Sequence, residues 1–233
     1  MIASDLAQRW RWRLGRAGLL PAKVAPKVDL TAWAPPDTSA AREAEAFLRE
    51  VSSGPSVEHS LRCYYFTAIQ CELSGVSPVS GPIDREALFV AIALHDVGLF
   101  ESSRPPGEHC FTVGCAREAR RIARKAGWDE ARQDRAALAI MSNLNPSVPA
   151  EEFGVEAHYF SKGGLVDILA QEWKVHPDNL GEILAKHPRD GFKQDTAQVV
   201  ARESKLNPGC RFSCLGPIFP TLVRLRSFSQ EAL

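Results

Sequence analysis

His95 and Asp96 follow directly on the most apolar run of the chain, Ala87-Leu88-Phe89-Val90-Ala91-Ile92-Ala93-Leu94. A segment buried on all sides that ends in an imidazole and a carboxylate needs partners or a metal for them, because burying an unpaired charge is very costly. Neighbours on a helix point ~100° apart, and one cation at the helix end can still accept both. Gly98 lets the chain turn away sharply there and leaves room for a substrate. Further donors must come from other segments. His59 lies near the start of its own helical stretch, beside Ser60 and Arg62, and Asp167 is embedded in Gly164-Leu165-Val166-Asp167-Ile168-Leu169, where its burial poses the same problem as that of Asp96. His59, His95, Asp96 and Asp167 together offer two nitrogens and two carboxylates. That mixed set suits one divalent ion, zinc, iron(II) or manganese(II), and donor softness alone does not choose among them; zinc is the first expectation. A buried polar network without a metal is the other reading of the same four residues.

Around this set stand the residues that would handle a substrate. Arg62 lies one turn after His59 on the same side of its helix, where it either holds an anionic or polar substrate or pairs with an acidic group behind the donors. Glu101 follows the metal-binding helix closely as a candidate general base, and His109 sits in the loop beyond it as a candidate pocket residue. His158 lies nine residues before Asp167 on the same predicted helix and so points to the opposite face. His176 and His187 precede prolines and read as helix-start residues.

The elements that must position these groups are helical. A Pro-rich connector spans residues 20–38. Ser39 caps a helix from Ala40 to about Val51, residues 52–56 break the pattern, and a second helix runs from about Val57 to Leu73. Asp84 caps a helix from Arg85 to about Asp96. Amphipathic stretches from Val113 to Ala126 and from Asp129 to Met141 follow, then a long helix from Gly154 to Trp173 weakened by Gly163 and Gly164. Pro177 and Pro188 start two more, reaching about Ala185 and Leu206. No strand alternation or repeat is visible. The expectation is an all-α protein: a basic N-terminal helix and connector over 1–38, a metal-binding helical domain over 39–206, and a C-terminal segment over 207–233 packing on it.

The 233 residues are 45% apolar and 24% charged, the balance of a globular domain that buries a core without staples. Lys plus Arg equals Asp plus Glu, so the net charge is zero, which argues against a nucleic-acid binder. No apolar run is long enough to span a membrane. The balance is uneven, though: residues 1–28 carry six basic side chains against Asp5 alone. The run Gln8-Arg9-Trp10-Arg11-Trp12-Arg13 reads as a helix that packs its Trp side chains on the body and keeps its Arg side chains in water, ahead of a nucleic-acid arm, a membrane-surface arm or an organelle-targeting helix. The six cysteines form no C-x-x-C pair. Cys63 and Cys71 read as small buried hydrophobes in a reduced, cytoplasmic protein. Trp and Phe residues near both termini offer a homodimer contact.

Five blocks in order carry a resemblance. They are Glu58-His59-Ser60-Leu61-Arg62, Ala91-Ile92-Ala93-Leu94-His95-Asp96-Val97-Gly98-Leu99, Phe111-Thr112-Val113-Gly114-Cys115-Ala116, Glu156-Ala157-His158-Tyr159 with Asp167, and His187-Pro188-Arg189-Asp190-Gly191-Phe192-Lys193. Over roughly residues 55–205 the chain resembles the HD-domain superfamily of metal-dependent hydrolases, and more narrowly its cyanamide-hydratase-like branch. The resemblance implies that His59, His95, Asp96 and Asp167 ligate the metal. The expected activity is that of a hydrolase or hydratase acting on a small nitrogen-containing molecule. Water made acidic by the ion would lose its proton to Asp96, with Arg62 or Asn143 orienting the substrate. Asn143 stands where the family usually carries a histidine, which favours one metal over two. Nucleotide phosphohydrolysis, drawing on Arg62, Lys162 and Arg189, is an alternative; so are di-iron redox chemistry, which Asn143 counts against, and a non-catalytic ligand sensor that retains its metal.

Overall fold

The structure, a computed structural model, describes residues 2–21, 24–100, 110–216 and 218–228. It is all-α: no strand occurs among the described residues. The helices are α1 (Ile2–Arg16), α2 (Ser39–Val51), α3 (Gly54–Glu72), α4 (Arg85–Leu94), α5 (Phe111–Lys125), α6 (Glu130–Ser142), α7 (Ala150–Phe153), α8 (Val155–Ile168), α9 (Pro177–Lys186), α10 (Phe192–Leu206), α11 (Arg211–Leu215) and α12 (Ile218–Leu225). No described helix is long and apolar enough to cross a membrane.

α4 is the axis of the fold. Every residue from Ala87 to Leu94 is buried, as a helix apolar on all sides must be, and α2, α3, α5, α6 and α8 pack around it. Its start is fixed as the sequence predicts: the Asp84 carboxylate accepts the Ala87 N–H at 3.0 Å. Its end is earlier than expected. Regular helix stops at Leu94, and Asp96 opens a short 3-10 turn over Val97–Leu99. Gly98 does not open space for a substrate. A Cβ there would lie 2.3 Å from the Phe111 carbonyl oxygen, so this glycine lets the start of α5 press against the turn, and its N–H donates to Cys115 Sγ at 3.1 Å.

α3 and α8 share the most extensive contact of any helix pair among the described residues. Gly163 is the reason, because a Cβ at that position would meet Thr67 Oγ1 at 2.1 Å and the Thr67 backbone nitrogen at 2.5 Å. The glycine that lowers helix propensity is thus the one that lets two backbones touch. α8 is also shorter than its sequence pattern. It ends at Ile168, Ala170 adopts a left-handed φ of 46°, and a separate 3-10 turn covers Glu172–Lys174. α3 begins earlier than expected. Ser53 caps it and Pro55 sits in its first turn, where a missing N–H costs nothing, so Gly54 and Pro55 start the helix rather than break it. The Pro188 segment, expected to start a helix, stays irregular until α10 begins at Phe192 behind a left-handed Gly191.

The connector is anchored rather than loose. Asn179 of α9 pairs with Val28 through two hydrogen bonds of 2.9 Å, and the fully buried Trp33 donates its Nε1–H to Glu72 at 2.7 Å. α12 packs on α10, which also touches α3 and α11.

Candidate metal centre

Three elements bring the expected donors to the centre of the bundle. α3 presents His59, Arg62 and Cys63 on one face, by the three- and four-residue spacing of a helix. The end of α4 supplies His95 and Asp96, and the last turn of α8 supplies Asp167. His59, His95 and Asp167 are buried, Asp167 completely, while the Asp96 side chain keeps 19% exposure.

The four expected donors do not close into a single ring. Two groups form, each with its donor atoms within 4.8 Å: His59, His95 and Asp96, and separately His59, Cys63 and Asp167. Each could hold a metal ion. His59 belongs to both because its two nitrogens face different ways. Its Nδ1 lies 2.6 Å from Asp167 Oδ2, and its Nε2 lies 3.7 Å from Asp96 Oδ2. Since a carboxylate accepts, Nδ1 carries the proton and Nε2 keeps a lone pair. His95 donates its Nδ1–H to the Ile92 carbonyl at 2.7 Å, and its Nε2 stands 3.2 Å from Asp96 Oδ2, an accept-only oxygen that favours a second ring proton there unless a cation takes its place. Hydrogen bonds behind the rings therefore turn both Nε2 atoms toward Asp96.

The second group differs in its electrostatics. Arg62 is fully buried and grips Asp167 with two bonds, Nε to Oδ1 at 2.9 Å and Nη2 to Oδ2 at 3.0 Å. Its Nη1 donates to the Pro188 carbonyl at 2.6 Å and to that of His187 at 3.3 Å. Arg189 adds a second guanidinium, with Nε 3.8 Å from Asp167 Oδ1. Burial alone would raise the Asp167 carboxyl, but Arg62, Arg189 and His59 hold it far below the usual carboxylate range. Burial pushes the Cys63 thiol well up. A cation between His59, Cys63 and Asp167 would meet the two guanidiniums that already surround Asp167. Asp96, by contrast, is paired with His59 and His95 and with no guanidinium among the described residues, although the Cys63 sulfur also lies 3.7 Å from His59 Nε2.

Charge at the first group is set by mutual contact. Burial lowers the His59 imidazole, more than the pull of Asp167 restores. Burial also acts to lower His95, but the Asp96 carboxylate and the Ile92 carbonyl carry it above its ordinary value. Asp96 is lowered: burial raises it, and the neighbouring His95 and His59 more than offset that.

A cavity of about 70 Å³ opens over His59, His95 and Asp96. Its walls are mainly apolar, from α8, α10, α11 and α12, with Leu165, Val199, Phe212 and Phe219 among them. Asn143, at the end of α6, lines it too, as do Ser56, Ser161 and Thr196. Asn143, which the sequence offers as a substrate contact, thus lines this cavity. Arg62 is not on the wall; of its two expected roles, the structure shows the pairing with an acidic group. Lys162 lies against the Tyr159 ring, and Arg189 against those of Phe192 and Phe228. His158 bonds the Val148 carbonyl, His176 caps α9 and His187 pairs with Glu58, so none of the three joins the cluster. Glu101 and His109 lie outside the described residues.

Cys63 is the cluster member that the sequence pattern presents as a plain hydrophobe. Its sulfur is 3.6 Å from His59 Nδ1, and the available signal was its spacing of four from His59. All six cysteines are free thiols. No protein-family model matches the chain, and no curated protein matches it. What sequence and geometry together show is an all-helical protein with two buried donor groups, built on His59, that could hold a metal.

Proposed function

We propose that the protein is a metal-dependent hydrolase or hydratase that adds water to a small, neutral, nitrogen-containing molecule. The observation that carries this reading is the convergence of His59 Nε2, His95 Nε2 and the Asp96 carboxylate at the floor of a small, apolar-walled cavity. Three lone-pair donors this close repel one another unless a proton or a cation sits among them. Three protein donors with an open side are also the usual make-up of a catalytic divalent site. Zinc is the first expectation, and iron(II) and manganese(II) fit the same donors. Such an ion supplies Lewis acidity and lowers the pKa of water from about 15.7 toward about 7.

The chain's own residues have separate tasks. Asp167 and the Ile92 carbonyl hold the two rings in the required tautomer, which is how outer partners usually tune a metal-binding histidine. Arg62 keeps Asp167 charged and in place. Asp167, the fourth expected donor, is already engaged by His59 and by Arg62. Asp96, the carboxylate open to the cavity, takes the proton from the attacking water. The Asn143 amide orients the electrophilic end of the substrate.

The cavity limits the substrate. An engineered cavity of about 150 Å³ in another protein holds benzene, so by proportion 70 Å³ suits about three non-hydrogen atoms. No Lys or Arg lines it among the described residues, which counts against a nucleotide phosphate. The nitrogen-containing substrate rests on the likeness to the cyanamide-hydratase-like branch of the HD-domain superfamily.

Elemental analysis of the wild type and Asp96→Ala, paired with a panel of short nitriles, amides and nucleotides, tests the reading. The expected result is about one divalent ion per wild-type chain and loss of both metal and turnover in the variant. Metal retained by Asp96→Ala would overturn the site. Phosphate release from nucleotides, with no hydration of the nitriles, would overturn the substrate class.

A further inference from the structure

α1 is amphipathic, but it is mounted the wrong way round for a helix that stabilises a core. The side turned to the body is polar and aromatic. Gln8 Oε1 accepts the Trp173 Nε1–H at 3.0 Å, Trp12 is half-buried and Gly15 is buried. Arg9, Trp12 and Arg16 line a groove against Ala170, Trp173 and Phe228. The apolar side faces outward. Four-residue spacing puts Leu6, Trp10 and Leu14 in one row, with Trp10 62% exposed, Leu6 45% exposed and Leu14 half-buried. Arg11 and Arg13, both exposed, stand on the two edges of this row. Leu19, Leu20 and Val24, which follow in the chain, are exposed as well.

We propose that α1 lies in the plane of an anionic lipid surface, with the Leu6–Trp10–Leu14 row in the acyl boundary and Arg11 and Arg13 on headgroup phosphates. A row of Leu and Trp edged by arginines is the make-up of a helix that lies in a membrane interface, and Trp prefers the boundary between apolar and wet layers. The charge is complementary, since residues 1–28 hold six basic side chains and one acidic one. A second copy of the chain is the less favoured occupant. Two such rows packed on each other about a two-fold axis would set Arg11 and Arg13 of one copy beside the same residues of the other. The zero net charge of the whole protein hides this basic, apolar-faced arm. Because the row points away from the core and the metal cluster, its loss leaves both in place.

Co-sedimentation of the full chain with phosphatidylcholine vesicles, with and without phosphatidylserine, tests the proposal. The expected result is binding that needs phosphatidylserine and weakens as salt rises. Arg11→Glu with Arg13→Glu should lower it by at least about tenfold, and Trp10→Ala should do likewise, with helix content by circular dichroism and metal content both unchanged. Failure of the wild type to bind phosphatidylserine vesicles overturns the proposal. Wild-type binding by Trp10→Ala alongside a large loss in the arginine variant also overturns it, and assigns the arm to a soluble polyanion such as nucleic acid. Self-association in sedimentation that Trp10→Ala abolishes, without vesicle binding, overturns it in favour of a second copy.

Discussion

Asp167 remains an anion at the centre of the bundle because an imidazole and two guanidiniums surround it. Breaking a buried pair from one side leaves an uncompensated charge, so Arg62→Met is expected to destabilise the fold by about 3–5 kcal/mol. Replacing both partners with apolar groups removes the stranded charge, so Arg62→Met with Asp167→Leu should lose clearly less than the sum of the two single variants. Urea midpoints of the three proteins check this, and additive losses would show that the pair is not coupled. The sequence makes Arg62 legible as a residue on the His59 side of α3, but not its partner, because the choice between substrate and Asp167 depends on how α8 crosses α3. The same crossing hides Cys63. His95 and Asp96 are legible because an imidazole and a carboxylate placed after eight apolar residues are carried into the core with them, where they need a partner or a cation. That Asp96 lies beyond the helix, and so turns back to 3.2 Å from its neighbour's ring, follows from the 3-10 turn that α5 presses against.

At the scale of elements, the two glycines of α8 separate two effects that the sequence merges into one weak helix. Gly163 sits where no Cβ fits, against the backbone of Thr67, whereas a Cβ at Gly164 meets nothing closer than Asn143 Oδ1 at 3.5 Å. Gly163→Ala must force α3 and α8 apart and is expected to cost about 1–3 kcal/mol. Gly164→Ala is expected to be neutral, or stabilising by up to about 1 kcal/mol through helix propensity, although it narrows the cavity beside Asn143. Thermal midpoints of the two variants decide the matter, and equal losses would mean that propensity and not contact sets both. Helix identity is largely legible in this chain because Asp84, Asp129 and Pro177 mark starts in the ordinary way. Helix length is less so. Ala170 turns left-handed at a position where nothing in its side chain signals a stop, and Gly54-Pro55 looks like a break when read without the Ser53 cap.

Over the whole molecule, the N-terminal ends of α4 and α8 and the first turn of α6 are held by one polar network. Arg132 donates to Asp84 at 2.6 and 2.9 Å and to Glu86 at 2.5 Å, while the Asp84 N–H donates to the buried Glu156 at 2.7 Å. None of these pairings is visible in the sequence, since they join residues far apart in the chain. Burial acts to raise the Asp84 carboxyl, but bonds from Arg132 and the Ala87 N–H hold it below its usual value. A carboxyl with a depressed folded-state pKa stabilises the protein fully above the unfolded value of about 3.9, and that contribution is lost as pH falls through the lower folded-state value. Asp84→Asn keeps a competent helix cap but removes the charge opposite Arg132. It should therefore cost about 1 kcal/mol at neutral pH and progressively less below about pH 4, so that the urea midpoints of variant and wild type converge in acid. A gap that stays constant from neutral pH down to pH 3 or so would mean that the lost contact is steric rather than ionic, and that the network holds its three helices by shape.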